Sequence, residues 1–242
     1  MLKNKLLNDV EKSPYKIQIS MSTMKRKRAP TLLIKEKVAT KYDVLCHIYD
    51  IFGLLMESKA RQRAIEIANI RNGENVLEVA VGTGLNFVEI LKRNPHGWNE
   101  GLDISPKMVK KARKRAEKTG LTNYTIRLGD SRSLPYADSA FDLIINEYMF
   151  DIFPVSEYDH VLDEFRRILK PSGRLVLVNT TNGEKLRDSL FKCLFHIYPT
   201  QFSRCRGVIM NSHLERFHFQ DIKREYVVNY TFPSEIVFSR RS

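Results

Sequence analysis

The order of elements in the sequence predicts an α/β fold built on one mostly parallel sheet. Short apolar runs alternate with amphipathic helical stretches over most of the 242 residues. A glycine-rich turn joins the first apolar run to a helix, and the last two strand-like runs follow each other closely. The alternation indicates parallel strands with right-handed crossovers and helices on both faces of the sheet. The short final gap predicts an antiparallel hairpin at one edge.

Each element is assigned from its hydrophobic period and its boundary signals. Ser105 and Pro106 are a good helix start, because serine caps the first turn and proline suits the first helical position. Residues 170–173 (Lys-Pro-Ser-Gly) are predicted as a turn, and residues 232–234 (Phe-Pro-Ser) as the connection between the last two strands. The predicted helices are 34–70, 85–93, 106–118, 157–169 and 184–196. The seven predicted strands are 76–81, one that ends at 101–104, 124–128, 141–146, 174–179, 222–230 and 235–240.

The bulk properties predict one large domain with an extension. Hydrophobic residues make up 43% of the chain, as in globular proteins with a real core. Residues 1–33 are expected to be a flexible extension that ends in the basic cluster 25–28, and residues 34–242 form the main domain. Within that domain, 34–70 is interpreted as a helical lid and 191–219 as an aromatic-rich cap over the cleft. The alternative for the cap is that it packs on the sheet as core.

Cysteine usage and the lack of long apolar runs favour a cytoplasmic protein. The three cysteines are widely spaced without a CxxC pair, which argues against a disulfide framework and against a zinc site, so no metal is expected. No apolar run reaches the roughly 18 residues that a membrane span needs. The first 24 residues also lack the apolar stretch of a secretory signal.

The chain is basic, with 40 Lys and Arg against 28 Asp and Glu and a formal net charge of +12. Such a surface favours anionic partners: nucleic acid, acidic lipid headgroups or anionic small molecules. The predicted helix from Pro106 carries much of this charge, and it could lie against an anionic membrane or simply be solvated. The charge therefore leaves the partner class and the oligomeric state open.

A ligand cleft is predicted where three strands end. Gly82 and Gly84 sit at the turn from the first strand to its helix, where glycine lets a ligand approach the backbone. Asp103 ends the second strand about 20 residues later, where an acid typically holds ribose hydroxyls, and Asp130 and Ser131 follow the third strand. These side chains meet at one edge of a Rossmann-like sheet. Helix or turn capping is the alternative role for both aspartates.

The ligand is not expected to be a dinucleotide. The dinucleotide fingerprint needs a third glycine three residues after the second, for close packing beside the pyrophosphate. That position is Phe87 if the count starts from Gly82 and Gly84, and Leu85 if it starts from Ala80 and Gly82. A nucleoside ligand without a pyrophosphate would not need that glycine.

Four ordered segments carry a resemblance to a known superfamily: VLEVAVGTG, GLDIS, LGDSRSLPYADSAFDLII and EFRRILKPSGRLVLVN. Together they resemble class I S-adenosylmethionine-dependent methyltransferases over about residues 42–179. Within that superfamily the chain is similar to the ubiquinone and menaquinone C-methyltransferases and to soluble bacterial phosphatidylethanolamine N-methyltransferases. The run YDVLCHIYDIF carries the second likeness. Two departures stand out: Ala80 replaces the usual first glycine of the loop, and Asn146-Glu147-Tyr148-Met149 replaces the Asn-Pro-Pro-Tyr pattern of enzymes that methylate nucleic-acid amines.

The resemblance implies S-adenosylmethionine as methyl donor and a set of residues that hold it. The implied cofactor contacts are Tyr42, Glu78, Gly82, Gly84, Asp103, Ile104, Met108, Asp130, Ser131 and Asn146. Glu78 and the glycines would lie against the methionine and ribose parts, Asp103 against the ribose hydroxyls, and Met108 on the adenine.

Methyl transfer needs mainly alignment, with a base only where the nucleophile must lose a proton. The predicted catalytic residues are Tyr49, His47 and Glu147. Packing on the domain is the alternative for Tyr49, and a surface position the alternative for His47. The expected acceptor is a small apolar or membrane-derived molecule, such as a quinone precursor or an aminophospholipid, which leaves peripheral contact with a membrane open. An RNA or protein acceptor, and a catalytically silent cofactor-binding protein, are the alternatives.

Overall fold

A computed structural model of the protein describes residues 56–181, 207–230 and 232–242. In these residues the helices are α1 Ser58–Ala68, α2 Leu85–Arg93, α3 Pro106–Glu117, α4 Tyr158–Ile168 and α5 Asn211–Arg216, with a short 3₁₀ helix at Val155–Glu157. The strands are β1 Asn75–Val79, β2 Trp98–Asp103, β3 Tyr124–Leu128, β4 Phe141–Glu147, β5 Leu169–Thr180, β6 Phe219–Asn229 and β7 Phe232–Arg241.

The seven strands form one sheet in the order β3-β2-β1-β4-β5-β7-β6. The first five strands are parallel to one another, whereas β7 is antiparallel to both β5 and β6. This confirms the predicted α/β sheet with a C-terminal antiparallel hairpin at its edge. The strand order reverses beside β1, so the carboxyl ends of β1, β2 and β4 surround one crevice, where ligands of such sheets bind.

Helices cover both faces of the sheet, as the alternation of side chains along the strands requires. Leu77 and Leu175 face a hydrophobic cluster that contains α4 and α5 residues, including Phe165. Their neighbours Val76 and Val176 face a second cluster that contains residues of α1, α2 and α3. Continuous apolar strands are therefore buried on both faces, which is typical of parallel sheets.

Two of the predicted strand boundaries that differ from the structure lie at backbone irregularities. Strand β1 ends at Val79 rather than at residue 81, because Ala80 takes a left-handed φ of 60° that ends strand geometry. Residues 170–173 are not a free turn but part of β5, where Phe141 pairs with Leu169 and Leu143 already pairs with Arg174. The extra residues of β5 bulge out of the ladder around Ser172, whose φ is 61°.

The connection between the last two strands is also displaced. Phe232 and Ser234, expected to lie between the strands, are part of β7 and pair with Asn229 and Thr180 respectively. Pro233 lies between them near the start of the strand; its carbonyl accepts a hydrogen bond from the Thr181 amide, and it has no amide hydrogen to donate to the ladder.

Several predicted segments fall partly or wholly outside the described residues. The extension 1–33, most of the predicted lid 34–70, the predicted helix 184–196 and the first part of the predicted cap 191–219 lie there. The part of the lid that is described forms α1. Residues 207–219 of the cap place Val208, Met210, Leu214 and Phe219 in the hydrophobic cluster under α4, which is the alternative role for this segment. Across the described ranges, no helix is both long and apolar enough to span a bilayer.

Candidate active site

A cleft of about 910 Å³, counting space open to solvent, lies at the carboxyl ends of β1 to β4. Its walls come from the residues that follow these four strands and from the first turn of α1.

The loop after β1 owes its shape to three left-handed residues within five positions. Ala80, Gly82 and Gly84 have φ values of 60°, 53° and 81°. The Val81 amide donates to the carbonyl of Leu102 (3.0 Å), which fastens the loop to β2. Ala80 keeps the left-handed conformation that a glycine would adopt there, although a Cβ makes this conformation costly.

Asp103 joins the ends of β1 and β2 through backbone hydrogen bonds. Its Oδ2 accepts from the Gly82 amide (2.9 Å) and its Oδ1 from the Ser105 amide (2.8 Å). Burial raises the pKa of this carboxyl to about 6, and the amide donors from Ser105, Gly82 and Ile104 oppose the rise. Each carboxylate oxygen has a further lone pair, so the group can still accept from a ligand at the cleft wall.

Gly84 has a packing role that the sequence did not reveal. It lies outside the cleft lining. A Cβ placed on it would lie 2.9 Å from the Cα of Ala112. Helix α3 thus approaches α2 so closely that only glycine fits.

A cluster of carboxyl groups surrounds one arginine on the opposite wall. Glu57 is the N-cap residue of α1 and Arg61 lies in its first turn, Glu147 ends β4 and Glu78 lies in β1. The Arg61 guanidinium lies 3.7 Å from carboxylate oxygens of both Glu57 and Glu147. Glu78 accepts from the Asn86 amide group (3.2 Å). Within the described parts of the chain, Oε2 of Glu78 and Oε1 of Glu147 have no hydrogen-bond partner.

Burial dominates the ionisation of this cluster. It raises the pKa of Glu147 to about 7 and that of Glu57 to about 8, and the nearby Arg61 opposes both shifts. The pKa of Glu78 is raised well above its ordinary value by burial and by the charge of Glu147. Carboxyls that share a cleft and titrate near neutral pH are typical of functional sites.

Tyr148 closes the apolar end of the cleft. Its φ is 52°, an uncommon value for an aromatic residue, and its amide donates to the carbonyl of Val178 (2.7 Å). The phenol group is buried and forms a hydrogen bond of 2.9 Å with the Ser234 hydroxyl of β7. Met149, Ile152 and Phe153 continue this apolar wall.

The structure brings seven of the predicted site residues together and separates three others from the cleft. Those that line it are Glu78, Gly82, Asp103, Ile104, Met108, Ser131 and Glu147. Gly84, Asp130 and Asn146 do not line it. The carboxylate of Asp130 is held by the Arg132 guanidinium (2.9 and 3.0 Å), and the Asn146 side chain donates to the carbonyl of Val79 (2.8 Å). The predicted residues Tyr42, His47 and Tyr49 lie outside the described ranges.

Three residues that line the cleft were not predicted as site residues from the sequence: Glu57, Arg61 and Tyr148. Glu57 and Arg61 are four residues apart at the start of one helix, a spacing that places both side chains on the same face. That spacing was a usable signal, but nothing in the sequence showed that this face of α1 meets the cleft.

The cleft fits S-adenosylmethionine in chemical character. This molecule has a positively charged sulfonium and ammonium group, a carboxylate, a ribose diol and a flat adenine. The open carboxylate atoms of Glu78 and Glu147 suit the positive groups, and Arg61 is the one cationic side chain that the described lining offers to the carboxylate. Asp103 suits a diol, and the apolar side chains of Ile104 and Met108 suit an aromatic ring.

Comparisons with known proteins identify the family to which the chain belongs. The model of the ubiE/COQ5 methyltransferase family matches residues 21–233. A demethylmenaquinone methyltransferase of Thermotoga maritima is 40% identical over 144 residues, and the match covers 59% of this chain and 58% of that protein, which is less than two thirds of it. A demethylmenaquinone methyltransferase of Listeria monocytogenes is 29% identical over 197 residues, with 79% and 78% covered.

Solved structures show the same fold. The PH0226 protein of Pyrococcus horikoshii has a TM-score of 0.62 and 25% identity over 81% of this chain and 99% of that chain. A SAM-dependent methyltransferase of Aquifex aeolicus has a TM-score of 0.59 and 19% identity over 89% of this chain and all of that one. Because the family model covers most of the sequence, the chain belongs to the ubiE/COQ5 methyltransferase family, and the protein is an S-adenosylmethionine-dependent methyltransferase.

Proposed function

We propose that this enzyme methylates a ring carbon of a quinol, the reduced form of a quinone with an apolar tail. The observation that carries the proposal is the position of Glu147, a buried carboxyl that lines the same cleft as the loop after β1 and as the apolar residues Met149 and Ile152. Such a site offers an apolar molecule one proton acceptor. The names of the Thermotoga and Listeria relatives, demethylmenaquinone methyltransferases, support a quinone-derived acceptor.

The donor would be held by residues on the β1 and β2 side of the cleft. Glu78 would bind the ammonium group and Arg61 the carboxylate, while Asp103 would accept from the ribose hydroxyls. Ile104 and Met108 would enclose the adenine, with Ser131 at its edge. S-adenosylmethionine supplies a methyl group that its positive sulfur activates, so the protein needs only to align the acceptor with it.

Glu147 would act as the base. A quinol carbon becomes a strong nucleophile when a neighbouring hydroxyl gives up its proton, and a carboxylate at the cleft wall can accept that proton. As the new carbon–carbon bond forms, the carbon–sulfur bond would break and its electron pair would stay on sulfur. The methylated ring carbon would then give its proton to water, which restores the aromatic ring as a phenolate, and the phenolate would take back the proton from Glu147. With a pKa of about 7, Glu147 is matched to proton transfer at neutral pH.

An amine acceptor is the second possibility, and the pair Glu57 and Glu147 favours it. Two carboxyls would attract a protonated amine and take its proton before methyl transfer, as an aminophospholipid would require. Nucleic acid is disfavoured by the same lining, because Arg61 is its one cation among the described residues and a phosphate backbone needs several.

The test is an acceptor screen with the full-length chain. A short-chain demethylnaphthoquinol under reducing conditions, phosphatidylethanolamine vesicles and RNA are each incubated with S-adenosylmethionine, and products are identified by mass. The proposal predicts carbon methylation of the quinol. Methylation of phosphatidylethanolamine or RNA, with no reaction of any quinol, would overturn it.

Glu147→Gln tests the proposed base. We expect kcat to fall by roughly 10²–10⁴-fold with little change in KM, and the rise of activity through about pH 7 to disappear. Glu215→Gln is the matched control, since Glu215 is exposed on α5 and outside the cleft. A Glu147→Gln enzyme with an unchanged pH profile would show that another group accepts the proton.

A further inference from the structure

Four large apolar side chains are exposed in the described part of the chain. Leu128 is 56% exposed, Val155 50%, Ile209 56% and Tyr230 76%. Single exposed apolar residues are ordinary on protein surfaces and need no explanation. Their distribution over the surface is what carries information.

All four lie at the end of the sheet where the parallel strands have their carboxyl ends and where the cleft opens. Leu128 is the last residue of β3, and Val155 follows β4. Ile209 comes directly after Val208, whose amide donates to the carbonyl of Thr180 at the end of β5. Tyr230 is in the turn between β6 and β7, beyond the pair Ser234 and Thr180. If exposure were incidental, such residues would occur at both edges of the sheet.

Exposed lysines accompany them. Helix α3 starts at the cleft, because its cap Ser105 follows Asp103, and Lys107 and Lys110 are exposed in its first two turns. Lys59 is exposed in the first turn of α1, and its amino group contacts the carbonyl of Val228 beside the β6–β7 turn. We call the surface formed by Leu128, Val155, Ile209, Tyr230, Lys107 and Lys110 the cleft edge.

The arrangement suits a lipid surface better than a protein partner. The four apolar residues belong to four different strand ends or connections, so they form separate tips rather than one groove that a helix or strand could fill. A fluid bilayer can take up separate tips, and anionic headgroups attract lysines near them. An apolar acceptor dissolved in that bilayer would also be next to the cleft opening.

We propose that the cleft edge docks on an anionic lipid bilayer, so that the acceptor enters the cleft from the membrane. Entry of the acceptor from the membrane rests on the function proposed above, whereas the docking itself does not. Docking is therefore measured without donor or acceptor.

The experiment is co-sedimentation of the full-length chain with vesicles in a buffer of about 0.1 M salt, where charges act over about 10 Å. We expect binding to phosphatidylcholine vesicles that contain phosphatidylglycerol and none to phosphatidylcholine alone. Lys107→Gln with Lys110→Gln should weaken binding by at least tenfold, since each lysine near an anionic surface contributes about fivefold.

The matched control is Arg93→Gln with Lys118→Gln. These exposed residues end α2 and α3 at the opposite edge, and α3 places Lys118 about 16 Å from Lys107. Removing the same charge there should change binding by less than about threefold. Equal losses in the two double variants would mean that net charge alone drives binding, and would overturn the proposal.

Leu128→Ser with Tyr230→Ser tests the apolar tips. We expect most vesicle binding to be lost while the melting temperature stays unchanged. Two outcomes would overturn the proposal. One is vesicle binding equal to that of the original protein. The other is a variant that unfolds, which would show that these side chains are covered by other parts of the chain. Methylation of a short-chain quinol without vesicles should persist in this variant. Failure of that reaction in the original protein would refute the proposed function but not the docking.

Discussion

Replacing Gly84 by alanine should destabilise the fold far more than the same replacement at Gly82. Both glycines have a left-handed backbone, with φ values of 81° and 53°. They differ in what a Cβ would meet. At Gly82 the nearest atom is the carbonyl oxygen of Ala80 at 3.9 Å, whereas at Gly84 the Cα of Ala112 lies at 2.9 Å and its Cβ at 3.0 Å.

The magnitudes follow from these geometries. A left-handed alanine costs roughly 1–2 kcal/mol, and the lower entropy of the unfolded alanine chain returns about 0.4–1 kcal/mol. Gly82→Ala should therefore lower the free energy of unfolding by about 0.5–1 kcal/mol. Gly84→Ala has the same backbone strain and also pushes the start of α2 away from α3. Such overpacking typically adds about 1–3 kcal/mol to the loss in the free energy of unfolding. Helix backbone cannot yield as the end of a flexible side chain would.

Urea unfolding of both variants measures the difference directly, and calorimetric titration with S-adenosylmethionine adds a second readout. Gly82→Ala should stay folded yet bind the donor more weakly, because Gly82 lines the cleft. Gly84→Ala should bind almost normally under conditions in which it remains folded. If the two variants differ by less than about 0.5 kcal/mol in stability, the close approach of α3 is not what requires glycine at position 84.

Three further outcomes are expected. Asp103→Ala should weaken donor binding by about 1–3 kcal/mol in calorimetry and lower stability in urea, because the Gly82 and Ser105 amides lose their acceptor; unchanged affinity would place the ribose elsewhere. Ala80→Gly should raise the free energy of unfolding by roughly 0.5–1 kcal/mol by removing left-handed strain, and a loss of stability would contradict this. The affinity for S-adenosylmethionine relative to S-adenosylhomocysteine should rise roughly 3–10-fold from about pH 6 to 8, because ionised Glu57 and Glu147 favour the sulfonium; a constant ratio would show that they do not face it.

The fold was predictable because each strand carries its own signal. The apolar runs of β1, β4 and β5 are buried on both faces, and the cap formed by Ser105 and Pro106 marks the start of α3. The errors arose where backbone conformation overrode composition. Ala80 resembles a strand residue but has a left-handed φ, and residues 170–173 have the composition of a turn yet bulge within β5. No local pattern distinguishes these cases.

Only the wall of the cleft that is formed by strand ends could be predicted from the sequence. Glu78, Gly82 and Asp103 follow from strand ends, because the carboxyl ends of parallel strands meet at one edge. Glu57 and Arg61 belong to a helix whose rotation about its axis depends on packing against β4 to β7, and the sequence does not encode that rotation locally. Asp130 also follows a strand end, but its carboxylate is held by the neighbouring Arg132 and it does not line the cleft.

Ionisation of the carboxyl cluster reduces the stability of the protein, and we expect a bound donor to restore it. Glu57 and Glu147 have pKa values near 8 and 7 in the folded state against an ordinary 4.5, so the folded protein binds more protons than the unfolded chain between these values. Stability therefore falls as pH rises from about 4.5 to 8, because the folded state must either keep these protons or bury the charges. A bound cation reverses this penalty, since it favours the ionised carboxylates without removing them from the cleft. S-adenosylhomocysteine lacks the sulfonium charge. We therefore expect the protein to bind it more weakly than S-adenosylmethionine at neutral pH, which would favour its release after each methyl transfer.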